Sequence, residues 1–147
     1  MSTTALAVFP PSASALALGV STPTATLANF GPGLHATGSS TLTVSVVLAP
    51  WTLKVADASG NAGHLAPGAV GCAGSEPHTA NALSVGASGL LPTTSGAGTV
   101  VIGASATTVA NGTATDTVNV AYALDVGLTE VMRAGCVFST TVTYTVQ

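Results

Sequence analysis

Phe138-Ser139-Thr140-Thr141-Val142-Thr143-Tyr144-Thr145-Val146 alternates along its length, with Phe138, Val142, Tyr144 and Val146 on one side and Ser139, Thr141, Thr143 and Thr145 on the other. Successive side chains of a strand point to opposite faces, so this pattern predicts a strand with one buried face. Its β-branched and aromatic residues suit a pleated surface. The same period recurs upstream. Val118, Val120, Tyr122, Leu124 and Val126 alternate with Thr117, Asn119, Ala121, Ala123 and Asp125. In 41–48, Leu42, Val44, Val46 and Leu48 share one face. After Ala49-Pro50, Trp51, Leu53 and Val55 continue the alternation until the turn cluster Asp57-Ala58-Ser59-Gly60-Asn61 stops it.

Shorter strands are expected over 24–30, 82–86, 99–103 and 105–109, each bounded by Gly, Pro, Asn or Ser. Helix signals are almost absent, because the abundant alanine alternates with Ser, Thr, Val and Gly and never recurs at i, i+3, i+4 with Glu or Lys support. About eight short strands with frequent turns predict an all-β fold, an antiparallel β-sandwich of Ig-like or jelly-roll-like type. Residues 60–81 form the longest expected loop.

Two units are expected, an extended N-terminal tail over 1–21 and the sandwich over 22–147. In the tail, Thr4, Leu6 and Val8, then Ser14, Leu16, Leu18 and Val20, alternate on either side of Pro10-Pro11-Ser12, with no tight glycine turn to join them as a hairpin. Two readings stand side by side. The tail supplies the first strands of its own domain, or it is donated to a neighbouring subunit by strand addition, with Leu6, Val8, Leu16, Leu18 and Val20 as contact residues.

The 147-residue chain is 47% hydrophobic and only 5% charged, with net charge -3. Average globular chains carry about 25% charged residues. Lys54 and Arg133 are the only basic side chains apart from histidine, which excludes the clustered cations of a nucleic-acid surface. They are also too few for charge-driven binding to anionic lipid. A mean hydropathy of +0.61 argues against disorder. No apolar run approaches the ~20 residues of a membrane span. The N-terminus lacks a basic signal-peptide region and carries Pro10-Pro11 where an apolar core would run, so the chain reads as a mature product or one given without its leader.

Cys72 and Cys136 are an even pair, expected to form one disulfide that ties the middle loop to the start of the last strand. Such a bond implies an oxidising compartment and an extracellular or cell-surface protein. His64, Cys72, Glu76 and His78 are the one group of candidate metal ligands, but their spacing matches no zinc motif, and no metal or other cofactor is expected. No Gly-x-Ser-x-Gly elbow is present, since the segments 86–89 and 103–106 both miss it. The carboxylates Asp57, Glu76, Asp116, Asp125 and Glu130 sit at strand ends or in loops, so no catalytic residues are assigned. Asn111-Gly112-Thr113 is a candidate glycosylation acceptor placed in a turn. Glu130 and Arg133 are expected to form a surface pair, and Trp51, in phase with Leu53 and Val55, to pack in the core.

Together 27–33, Leu42-Thr43-Val44, Trp51-Thr52-Leu53-Lys54-Val55 and 135–146 resemble secreted prokaryotic β-sandwich surface proteins. Trp51-x-Leu53 with the terminal Thr-Val-Thr-Tyr-Thr strand is similar to WxL cell-wall domains, although Tyr144 stands where their second motif has Trp. The tail ahead of a sandwich is similar to donor-strand fibre and pilin subunits. The resemblance implies a structural role without catalysis, in which the chain's partner is itself, as a homopolymer in an extracellular filament or pilus. The rival expectation is a monomeric surface module that recognises cell-wall glycan or protein, with Trp51, Tyr122 and Tyr144 as stacking residues. Their exposure separates the two. An enzyme, the third option, needs a cleft in which His64 or His78 meets a carboxylate.

Overall fold

The computed structural model describes residues 2–8, 16–47 and 49–147, with residues 2–8 described by strand pairing alone. The expected facing of Leu48, the Pro10-Pro11-Ser12 break with Ser14, and the side chains of Leu6 and Val8 lie outside the described residues. The molecule is all-β, and two sheets pack face to face as a sandwich.

The alternating segments become the long central strands β4 (His35–Ser45), β5 (Trp51–Asp57), β11 (Asp116–Asp125) and β12 (Phe138–Val146). Around them lie β1 (Ser2–Val8), β2 (Ala17–Val20), β3 (Thr24–Thr26), β6 (Ala66–Pro67), β7 (Ser84–Gly89), β8 (Thr94–Gly96), β9 (Thr99–Val101) and β10 (Thr107–Gly112). One sheet runs β3-β1-β12-β5-β10-β8 with β6 also on β12, and the other runs β2-β4-β11-β7-β9. Every described pairing is antiparallel except β1 on β12, which is parallel. The segment 1–21 thus contributes one strand to each sheet of its own chain.

The core forms where the inward faces meet. Leu53 and Val55 of β5 and Val142, Tyr144 and Val146 of β12 pack against Leu42 and Val44 of β4 and Val118, Val120, Tyr122 and Leu124 of β11, all of them buried. Their apolar area, removed from water at roughly 25 cal/mol per Å², is the main term holding the sheets together. Leu65 and Thr79, in the long middle loop, are buried as well, and the Thr79 hydroxyl accepts the Leu65 N–H at 2.9 Å.

Two local expectations are corrected. The Asn111-Gly112 pair lies in β10, not in a turn, opposite Thr52 and Trp51 of β5. A Cβ on Gly112 would come within 2.2 Å of the Trp51 ring, so this glycine serves close packing rather than chain reversal. Glu130 does not pair with Arg133. Its carboxylate accepts the N–H groups of Gly127 at 2.7 Å and Ala80 at 3.2 Å, tying two loops together by satisfying backbone donors. Asp57 and Asp116, at strand ends as expected, are buried.

Candidate assembly site

The site is built on β12. Its residues 142–146 pair with β5 and its first two with β6. Ser139 pairs with both β6 and β1, so the two lie on opposite sides of it. Among the described residues the other side of β12 is therefore occupied over Ser139–Thr145 by β1 alone, and β3 then pairs with the outer side of β1 over Ser2–Thr4. Withdrawing β1 would open a seven-residue slot inside a sheet, with unpaired N–H and C=O groups on β12.

Register sets Ala5 and Ala7 opposite Val142 and Tyr144, whose side chains are buried, and Leu6 and Val8 opposite the half-buried Thr143 and Thr145. In β2, which pairs with β4, Leu18 is buried and Leu16 and Val20 pack partly against the core. β1 and β2 lie in opposite sheets and form no hairpin. Both meet at the same end of the sandwich. Val8 pairs with Thr145, Ala17 pairs with Ser45, and the Trp51 Nε1 donates to the Ala114 carbonyl at 2.8 Å close by.

The true sheet edges offer little for association. β3, β8 and β9 have 3 residues each and β2 has 4, and short edge strands discourage pairing with another chain. The interior pairing of β1 with β12 runs over seven residues, longer than any of these edge strands.

At the opposite end Cys72 and Cys136 are joined in a half-buried disulfide that spans 64 positions. The Glu76 carboxylate accepts the N–H groups of Ala73 at 2.6 Å and Gly74 at 2.9 Å. The Ala73 bond is the largest influence holding its pKa below the ordinary value. Of the four candidate metal ligands, the structure brings Cys72 and Glu76 together with Cys136 rather than with His64 or His78. Both sulfurs are spent in the disulfide. Beside it a cleft of about 320 Å³ is lined by Phe30, Pro32, Met132, Arg133 and Phe138, with Phe30 and Phe138 ring centroids 5.5 Å apart.

His64 Nδ1 sits 2.7 Å from the Thr79 carbonyl, and His78 is exposed. Among the described residues the histidine that meets a carboxylate is His35, 2.6 Å from Asp125 on an exposed rim that sequence reading did not single out. The signal was faint, because the two are brought together only by the β4–β11 register. The candidate stacking residues Trp51, Tyr122 and Tyr144 are 2%, 1% and 0% exposed. Asn111 is exposed on β10, and its Oδ1 accepts the Thr52 hydroxyl at 2.9 Å. No protein-family model matches the chain, and no curated protein or solved structure matches it either.

Proposed function

We propose that the chain is a structural subunit of an extracellular filament or pilus that polymerises by β-strand addition, with β1 of one subunit taking the β12 slot of the next. One observation carries this reading: β1 is an interior strand, parallel to β12, and is joined to neither neighbour by a hairpin. An identical strand from another copy would make the same ladder, and exchange of identical elements is a low-cost route to assembly. The surface suits it too, since a chain with 5% charged residues has few ion pairs for salt to screen. The disulfide fits an oxidising, extracellular setting. The rival glycan-binding module loses support, because Trp51, Tyr122 and Tyr144 have no exposed ring face to offer a sugar.

The test is refolding from denaturant across a range of protein concentrations, followed by light scattering and negative-stain imaging. Exchange predicts monomers when dilute and filaments when concentrated, with growth capped by an excess of a peptide covering Ser2–Val8. Monomers at every concentration, or filaments indifferent to the peptide, would overturn the proposal.

A further inference from the structure

The corner around the disulfide gathers three donor atoms of the kinds that bind metal. Cys72 Sγ, Cys136 Sγ and a carboxylate oxygen of Glu76 lie within 4.8 Å of one another, and all three residues are half-buried. In the oxidised protein the two sulfurs are bonded to each other, whereas the form of cysteine that ligates metal is the thiolate. We propose that reduction of Cys72–Cys136 turns this corner into a site for one thiophilic divalent cation, zinc or cadmium, held by the two thiolates and the Glu76 carboxylate. A dithiol reductant supplies the two electrons and two protons that open the bond, and itself closes to a cyclic disulfide. The cation then displaces both thiol protons to solvent as two metal–sulfur bonds form.

The fold keeps these ligands together once the bond is open. The Gly68 N–H donates to the Val137 carbonyl at 2.7 Å and the Val137 N–H to the Val70 carbonyl at 3.0 Å. Backbone bonds thus join the middle loop to the start of β12 beside both cysteines. Gly71 has a φ of +71°, and a Cβ there would strike the Gly135 carbonyl, so this glycine lets the two cysteine-bearing segments lie against each other. Glu76 is fixed by the Ala73 and Gly74 N–H groups of the turn that follows Cys72, and each of its oxygens keeps a second lone pair free for a cation. Zinc–sulfur bonds of about 2.3 Å in a tetrahedral site set two sulfurs roughly 3.8 Å apart. Rotation about the cysteine Cα–Cβ bonds supplies that parting. Three protein ligands leave the fourth position to water.

One staple then replaces another. The disulfide ties together positions 64 apart, and the cation ties the same two, so it competes with oxidation for the sulfurs and stabilises the reduced fold by mass action. The site stands independently of strand exchange.

The test compares the full chain in its oxidised form with the same chain reduced by a dithiol that is then removed without air. Cadmium uptake is followed by thiolate charge-transfer absorbance, zinc uptake by competition with a coloured chelator, and folding by Trp51 emission. Expected are one cation per reduced chain, none per oxidised chain, and a higher thermal midpoint for the reduced chain when the cation is present. Cys72→Ser and Cys136→Ser should abolish uptake. Glu76→Gln, which still forms the disulfide, should bind at least about tenfold more weakly, the loss that even an outer-shell partner brings. A reduced, folded chain that takes up neither cation would overturn the proposal, and so would uptake by the oxidised chain. Affinity equally high in urea would show that the fold does not build the site. Unchanged affinity in Glu76→Gln would reduce it to a pair of thiolates and overturn the three-ligand assignment.

Discussion

The Tyr144 hydroxyl donates a hydrogen bond of 2.8 Å to the Tyr122 hydroxyl in the middle of the core, joining one sheet to the other. Ser40 donates to the same Tyr122 oxygen at 3.4 Å. Burial pushes both phenols above their ordinary pKa, Tyr144 further than Tyr122. A raised folded-state pKa means stability that is fully present below the unfolded value of about 10 and lost as pH climbs through the folded value. These are the only 2 tyrosines, so tyrosinate absorbance should stay flat past pH ~10 and then rise together with unfolding. A normal phenolic titration of the folded protein would contradict the buried pair.

The direction of that bond makes a second expectation. Tyr122→Phe leaves the buried Tyr144 O–H without its acceptor and should cost about 1–3 kcal/mol. Tyr144→Phe leaves Tyr122 still in contact with Ser40, and should cost about 1 kcal/mol. Urea midpoints measure both, and a larger loss for Tyr144→Phe would reverse the assigned donor.

Asp57 makes the corresponding acid-side prediction. Burial raises its pKa, but the Ser59 hydroxyl, the Gly63 and Ser59 N–H groups and the Thr140 hydroxyl together outweigh that and leave it below the ordinary value. A lowered folded pKa gives stability present above the unfolded value of about 3.9 and lost as pH falls through the folded one. Asp57→Asn should cost about 1–3 kcal/mol at pH 7. The gap from wild type should close in strong acid. A gap independent of pH would mean the carboxylate's charge contributes nothing.

Leu53→Ala should cost about 2–5 kcal/mol, since the leucine is fully buried between the sheets. Val142→Ala should also destabilise the fold, and Thr143→Ala, on the half-buried outer face of β12, far less. Equal denaturation midpoints for the three would mean that the faces of β5 and β12 are inverted.

What sequence could read here was periodicity. Leu42, Val44, Leu53, Val55, Val118, Val120, Val142 and Tyr144 alternate in sequence and are buried in the fold, because one-sided burial writes period 2 directly into a strand. The β8 strand Thr94-Ser95-Gly96 has no apolar face and so left no such mark. Register was equally silent. That β1 would lie parallel between β12 and β3, or that Glu130 would reach Ala80, depends on contacts between distant segments that no local pattern encodes. Asn111-Gly112 misled for a related reason: glycine is demanded both by turns and by close approach, and here the Trp51 ring was the cause.

That ring permits the sharpest mutational test. A methyl group at position 112 would sit 2.2 Å from Trp51 Cζ2, 2.4 Å from Cε2 and 2.9 Å from Nε1, all far inside contact distance. Trp51 cannot step aside freely, because it is buried and its Nε1 holds the Ala114 carbonyl at 2.8 Å. Gly112→Ala should therefore cost about 1–3 kcal/mol through overpacking, and should redden the emission of this sole tryptophan as the ring is driven from its site. Gly103→Ala is the control. A Cβ there meets nothing within 4 Å and its φ is not left-handed, so it should be neutral or stabilise by up to about 1 kcal/mol through the unfolded chain. The two effects should also separate by background. Trp51→Leu will be costly by itself, but once the indole is gone Gly112→Ala should add little, a coupling of the size seen between touching residues, about 0.5–3 kcal/mol. Should Gly112→Ala cost the same with and without Trp51, the glycine is kept for some reason other than the ring above it.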